Sequence, residues 1–215
     1  RRHPRARRMT LRLADDGEGV QVTLPRWGTT REALAFAQGR ADWLDAQRAK
    51  RPVRIEPAPG GTLTYRGQDL VIDWHANRPR KVVLGNDAIS LGGPRETLAP
   101  RLKRWMQNEA RALLAQDLAF YAARAGLAVP DFALSSARRR WGSCSSDGTV
   151  RLNWRLVQAP DAVRRSVVAH EVTHLVHFDH SPAFHALLAE LFEGDQRGAD
   201  DWLKTKGRTL YVDFG

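Results

Sequence analysis

His170, Glu171 and His174 are the residues whose types and spacing most directly encode chemistry in this chain. Two side chains four positions apart share one face of a helix, so both imidazoles can reach a single ion. Zinc accepts imidazole nitrogen and imposes no geometry from its d-electrons. A carboxylate directly after the first imidazole lies close enough to hold water beside that ion. His-Glu-x-x-His on a helix is the pattern of a zinc-dependent hydrolase, with the glutamate as general base. The flanking residues Val163, Val167, Val168, Val172, Leu175 and Val176 make the helix apolar around most of its circumference, which predicts burial. Burying two histidines and a glutamate there without partners costs on the order of several kcal/mol. A cation with water satisfies all three.

Spacing alone leaves the third ligand open. His177 lies at i+7 from His170, on the same helical face. His180 lies at i+10, which a straight helix would point elsewhere. The pattern predicts a helix over about 161–178, followed by another over about 182–193 that Ser181 caps and Pro182 opens. A turn between the two would swing His180 onto the ion. Glu190 and Glu193 on the second helix are further options and would give a His-His-Glu site.

Several elements must position this helix. Alternating apolar and polar residues at 9–13 and 20–24 predict a hairpin across Asp15-Asp16-Gly17. A helix is expected over 31–48, then a Pro- and Gly-rich connector over 51–61. Short strands are expected at 63–65, 70–74, 81–84 and 88–91, separated by Gly- and Asn-containing turns. A long amphipathic helix over about 96–125 follows, with Leu98, Leu102, Trp105, Met106, Leu113, Leu114 and Leu118 as its core stripe. Residues 133–156 read as two strand-like runs around Ser145-Ser146-Asp147-Gly148. The fold class is therefore α+β: a β-rich N-terminal part, 1–95, before a helical metal-binding domain with a small sheet, 96–215.

The chain has 215 residues, enough to bury a core without disulfides, and its single cysteine, Cys144, excludes an internal disulfide framework. No stretch is apolar for long enough to span a bilayer, and no apolar signal core follows the basic start, so the expected compartment is the cytoplasm, with no membrane partner. Lys and Arg outnumber Asp and Glu by 34 to 24, a net charge of +10. That balance, with Arg1-Arg2, Arg7-Arg8 and Arg138-Arg139-Arg140, makes nucleic acid a second partner to weigh against a solvated basic surface.

Further motifs narrow the reading. Trp141-Gly142-Ser143-Cys144, Leu152-Asn153-Trp154-Arg155-Leu156, Ala159-Pro160, His170-Glu171-Val172-Thr173-His174-Leu175 and His180-Ser181-Pro182-Ala183-Phe184 stand in that order. Here the chain resembles the YgjP-like metallopeptidases, relatives of the SprT-like and Spartan proteases, and the strand-rich start and long central helix extend the likeness over most of the chain. The resemblance implies a zincin-like fold. It implies zinc held by His170, His174 and His180, with Glu171 as catalytic base, and so favours His180 over His177, Glu190 and Glu193. The chain departs from the usual pattern at Thr173, Asp179 and His185.

The expected activity is hydrolysis of peptide bonds by a metal-activated water, on a peptide or protein substrate. Trp141–Cys144 is read either as a strand bordering the cleft, to which a peptide could add, or as packing beneath the metal helix. Asn153 is read as a hydrogen-bonding brace. His177, His185, Tyr211 and several arginines are candidates to stabilise the oxyanion, and Asp179 to orient a histidine. Two alternatives compete: a protease recruited to nucleic acid, acting on DNA-bound proteins, and a non-catalytic module in which zinc only stabilises the fold.

Overall fold

The computed structural model describes residues 1–14, 19–49 and 55–214. It divides into two compact units, 1–53 and 54–215.

In the first unit, β1 (Thr10–Leu13) pairs antiparallel with β2 (Val20–Thr23) in the register expected of a hairpin. The Asp15-Asp16-Gly17 turn lies outside the described residues. The single helix expected over 31–48 is two: α1 (Thr30–Gln38) and α2 (Ala41–Ala49). Gly39 ends α1, its N–H bonding back to Ala35 O at 2.9 Å. Thr29 and Glu32 form a reciprocal capping box at the start of α1.

The second unit begins with a four-stranded sheet of order β3-β4-β6-β5: β3 (Thr62–Tyr65), β4 (Gln68–His75), β5 (Val83–Leu84) and β6 (Ala88–Gly92). Gly67, at φ +81°, turns β3 into β4, as φ > 0 requires. A one-turn 3-10 helix at Arg95–Thr97 leads into α3 (Leu98–Arg124). Leu63, Ile72, Ile89 and Leu91 from the sheet and Leu98, Leu102, Met106, Leu114 and Leu118 from α3 share one core. The sheet thus shares its core with α3, across the soft boundary expected at 95/96.

Residues 132–153 form three short strands rather than two runs: β7 (Phe132–Ser135), β8 (Gly142–Cys144) and β9 (Val150–Asn153). They lie in the order β7-β9-β8, with β7 parallel and β8 antiparallel to β9. Residues 154–156, expected to continue a strand, belong instead to a buried 3-10 helix at Trp154–Gln158. The remaining elements are α4 (Asp161–His174), α5 (Pro182–Leu191), α6 (Gln196–Lys206) and a 3-10 helix at Gly207–Tyr211. The architecture is mixed α+β. Among the described residues no helix is long and apolar enough to cross a membrane.

Behind α4, the structure buries an ion pair. Arg164 Nε donates to Asp117 of α3 at 2.7 Å, with both residues buried. Arg164 also pairs with Asp161, which pairs in turn with Arg66 beside the Gly67 turn. Burial pushes the Asp117 carboxyl up, and the guanidinium of Arg164 pulls it back.

Candidate metal centre

α4 buries one side and presents the other. Val163, Val167, Val168 and Val172 are buried against the core, and His170 and His174 emerge one turn apart, each half-buried. The helix ends at His174, four residues before the expected end. The N–H groups of Leu175 and Val176 bond three residues back, to Val172 O at 3.0 Å and Thr173 O at 3.1 Å. That tightening closes the last turn. Val176, expected on the apolar face, lies beyond the helix and is 44% exposed. Asp179 Oδ1 accepts the Ser181 N–H at 3.3 Å, and Ser181 Oγ accepts from Phe184 N–H at 3.4 Å to cap α5, with Pro182 at its start.

This turn carries His180 back to the two helical histidines. His170 Nε2 lies 3.1 Å from His174 Nε2 and 3.3 Å from His180 Nε2. The three imidazoles form a group able to hold a metal ion, their ligand atoms all within 4.8 Å of one another. The chemistry of the set fits a cation. His174 Nδ1 faces the His177 carbonyl at 3.0 Å; a carbonyl only accepts, so Nδ1 carries the proton and Nε2 offers a lone pair. His170 Nε2 approaches two nitrogens at once, and a single proton on it can satisfy only one of them. Burial and the neighbouring histidines push the His170 pKa down to about 4, and burial lowers that of His174. Neutral rings are the ligating form.

Glu171, next to His170 in sequence, packs against Gly142 of β8. It is 5% exposed, and its Oε2 is buried with no hydrogen-bond partner. Burial pushes its pKa up to about 7, and Arg140 pulls it back. The carboxylate fits because position 142 is glycine: a Cβ there would lie 2.6 Å from Glu171 Cγ and nearer still to the carboxylate. Glycine inside a strand marks such a close approach, so Trp141-Gly142 carried this signal in the sequence.

Phe184 is a second feature that the sequence reading did not assign. It is fully buried, and its ring centroid lies 5.0, 4.7 and 4.8 Å from those of His170, His174 and His180. It forms an apolar floor that fixes all three imidazoles. Its signal was its place three residues after the Ser181 cap, on the inward face of α5.

The remaining candidates fall elsewhere. Only the backbone carbonyl of His177 meets the cluster, where it orients His174, the role considered for Asp179. Glu193 accepts from Tyr121 Oη at 3.0 Å and pairs with Arg165, and Glu190 is exposed on α5. The Tyr211 hydroxyl donates to Ala137 O at 2.9 Å and accepts from Asn153 Nδ2 at 3.2 Å. Asn153, fully buried, also donates to Ala137 O and accepts from Arg155 N–H, so it braces the 137 loop and the 3-10 helix. The thiol of Cys144 is raised by burial and by Glu171 and stands outside the histidine group.

No curated protein matches the chain. Among solved structures, the crystal structure of the metallopeptidase zymogen of Pyrococcus abyssi abylysin is similar over 43% of this chain and 93% of that one, at 19% identity and a TM-score of 0.40. The family model of the YgjP-like metallopeptidase domain matches residues 7–206. Spanning nearly the whole chain, that match makes this protein a member of the YgjP-like metallopeptidase family.

Proposed function

We propose that the chain is a zinc-dependent peptidase in which His170, His174 and His180 hold the ion and Glu171 is the general base. One observation carries the reading: three imidazole nitrogens converge in one group, and the residue next in sequence to the first of them is a glutamate whose buried Oε2 has no hydrogen-bond partner among the described residues. Three nitrogen ligands suit zinc and leave a position open. When bound, the ion supplies a Lewis acid that polarises the scissile carbonyl and lowers the pKa of water.

The chain's own residues supply the rest. Glu171 takes the proton of the attacking water as its oxygen bonds to the carbonyl carbon. The C–N bond then breaks, and Glu171 returns that proton to the leaving amine. Phe184 and the His177 carbonyl hold the imidazoles in place throughout. β8 is an edge strand of its sheet and packs on α4, so an extended peptide could add along it by backbone hydrogen bonds. His180 is exposed, which opens the site to solvent and favours catalysis over a closed, purely structural ion.

The test is Glu171→Gln. Bound zinc should stay at one per chain while peptide cleavage falls by about 10²–10⁴-fold, the usual contribution of a positioned base. Undiminished turnover in a zinc-loaded variant would remove Glu171 from the mechanism. A fourth protein ligand on the ion, seen by X-ray absorption, would convert the site to a structural one.

A further inference from the structure

A cleft lies at the start of α3 and shares no residue with the histidine cluster. This cleft of about 500 Å³ is lined by Trp74, Ala76, Arg78, Pro79, Arg80, Gly93, Pro94 and Arg95. Three guanidinium groups surround it, and no carboxylate belongs to its lining. Arg78 is offset by Asp73, which Ser90 and His75 also hold. Arg80 and Arg95 are exposed and form no ion pair among the described residues. Two positive charges are therefore left for a ligand.

The walls of the cleft are tied together. Arg101 donates to four carbonyls that frame it: Thr97, Arg80 and Pro94, each at 3.1 Å, and Gly92. The 75–80 loop is stitched to β6 by Gly92 N–H to Pro79 O at 2.9 Å and Gly93 N–H to Ala76 O at 3.1 Å. The approach is so close that a Cβ on Gly92 would lie 2.6 Å from His75 O. The Trp74 indole donates to Gly93 O at 3.1 Å, which fixes its ring in the wall. Such fixing lowers the ordering cost of binding.

Positive charge continues beyond the cleft. Arg104, Asn108 and Arg111 are exposed along one stripe of α3, one turn on from Arg101. The two acids of that helix are engaged away from it: Glu109 accepts from Tyr65 Oη at 2.8 Å, and Asp117 pairs with Arg164. An isolated basic pocket would suit a small anion. A pocket that opens onto a basic helical stripe suits a polymer of regularly spaced negative charges, and an indole beside the guanidinium groups suits an unstacked base.

We propose that this cleft and the adjoining stripe of α3 bind single-stranded nucleic acid, with phosphates held by Arg80 and Arg95 and a base against Trp74. The site is independent of the peptidase reading and needs no metal.

The test compares Arg80→Ser/Arg95→Ser with Arg31→Ser/Arg197→Ser, a pair of exposed arginines elsewhere that makes the same change in net charge. The full chain would be titrated with a fluorescent single-stranded oligonucleotide, a duplex and inorganic polyphosphate at several salt concentrations. The cleft variant should weaken single-strand binding at least about tenfold and lower the salt slope by about 1.4, two phosphate contacts' worth. The control pair should change it far less. Photocrosslinking a bromouracil oligonucleotide should label the peptide containing Trp74. Equal losses in both variants would reduce the binding to general charge and overturn the proposal. So would absence of binding near physiological salt, tighter binding of the duplex, or equal affinity for polyphosphate.

Discussion

Gly142→Ala tests whether β8 and α4 together set the position of the Glu171 carboxylate, the proposed general base. The added methyl would sit 2.6 Å from Glu171 Cγ, where carbon atoms normally approach to about 3.5–4.0 Å. The carboxylate must therefore retreat by about 1 Å, because the opposing atoms are β-strand backbone and cannot yield as a flexible side chain would. A misplacement of that size in a reacting group costs about 10²-fold in rate, close to 2.7 kcal/mol of barrier. Overpacking adds a stability loss of about 1–3 kcal/mol. The nearest atoms to the added methyl all belong to Glu171 and none to an imidazole, so metal content should not change. The assay is kcat/KM on a peptide substrate, alongside zinc per chain and Tm. Gly148→Ala is the control: at φ +82°, with the nearest atom 4.0 Å away, it strains the backbone without touching Glu171. It should lower Tm and leave cleavage intact. In the Glu171→Gln background, Gly142→Ala should cost little more activity, since the group it displaces has already lost its role. Full activity in Gly142→Ala, with zinc bound, would refute the argument that this glycine exists to admit the carboxylate.

Two further outcomes follow from the packing. Arg164→Met should destabilise the fold by about 3–5 kcal/mol, because it leaves Asp117 buried and unpaired, and adding Asp117→Leu should recover most of that loss; denaturant unfolding of the two variants measures both steps. Asp213 is held up at about pH 6 by burial and by Asp69, so the folded protein binds its proton more tightly than the unfolded chain, whose carboxyl titrates near 4. The resulting destabilisation is absent below about pH 4, grows as pH rises, and is complete above about pH 6. After allowing for solvent screening at a partly exposed site it is worth about 1–2 kcal/mol, so Asp213→Asn should raise Tm by a few degrees at pH 7.5 and not at pH 4. An equal gain at both pH values would assign the effect to something other than this carboxyl.

The part of the site that was legible in the sequence was the part encoded locally. His170 and His174 follow from an i, i+4 spacing, the Ser181-Pro182 cap from residue types at a helix start, and the core stripe of α3 from helical periodicity. The remainder depended on contacts between distant segments. Trp141–Cys144 was legible as a strand only as one of two readings; its pairing with β9 and its packing on α4 make β8 both a strand and a support of that helix. The break between α1 and α2 at Gly39-Arg40 fell inside a continuous apolar pattern. A β-rich composition says nothing of which helix a sheet packs on, so the core that this sheet shares with α3 was not legible.

His180 shows where periodicity stops being a guide to ligation. On an unbroken helix, position i+10 faces away from i, and His177 at i+7 would be the natural third ligand. The early end of α4 at His174 reverses that ranking. Bonding of Leu175 and Val176 three residues back tightens the chain, the side chain of Asp179 bonds to the Ser181 N–H, and α5 then begins on its own cap. His177 is thereby left with its carbonyl toward His174, and His180 with its ring toward His170. Both roles follow from one local event, the choice of a tight final turn over continued helix. The apolar run continues through Leu175 and Val176, so hydrophobic periodicity could not reveal it. What could was the polar sequence Asp179-His180-Ser181-Pro182, which requires a turn and a new helix start within eight residues of His174. With the helical histidine pair followed that closely by a cap, the third imidazole of the group comes here from the turn rather than from the helix face.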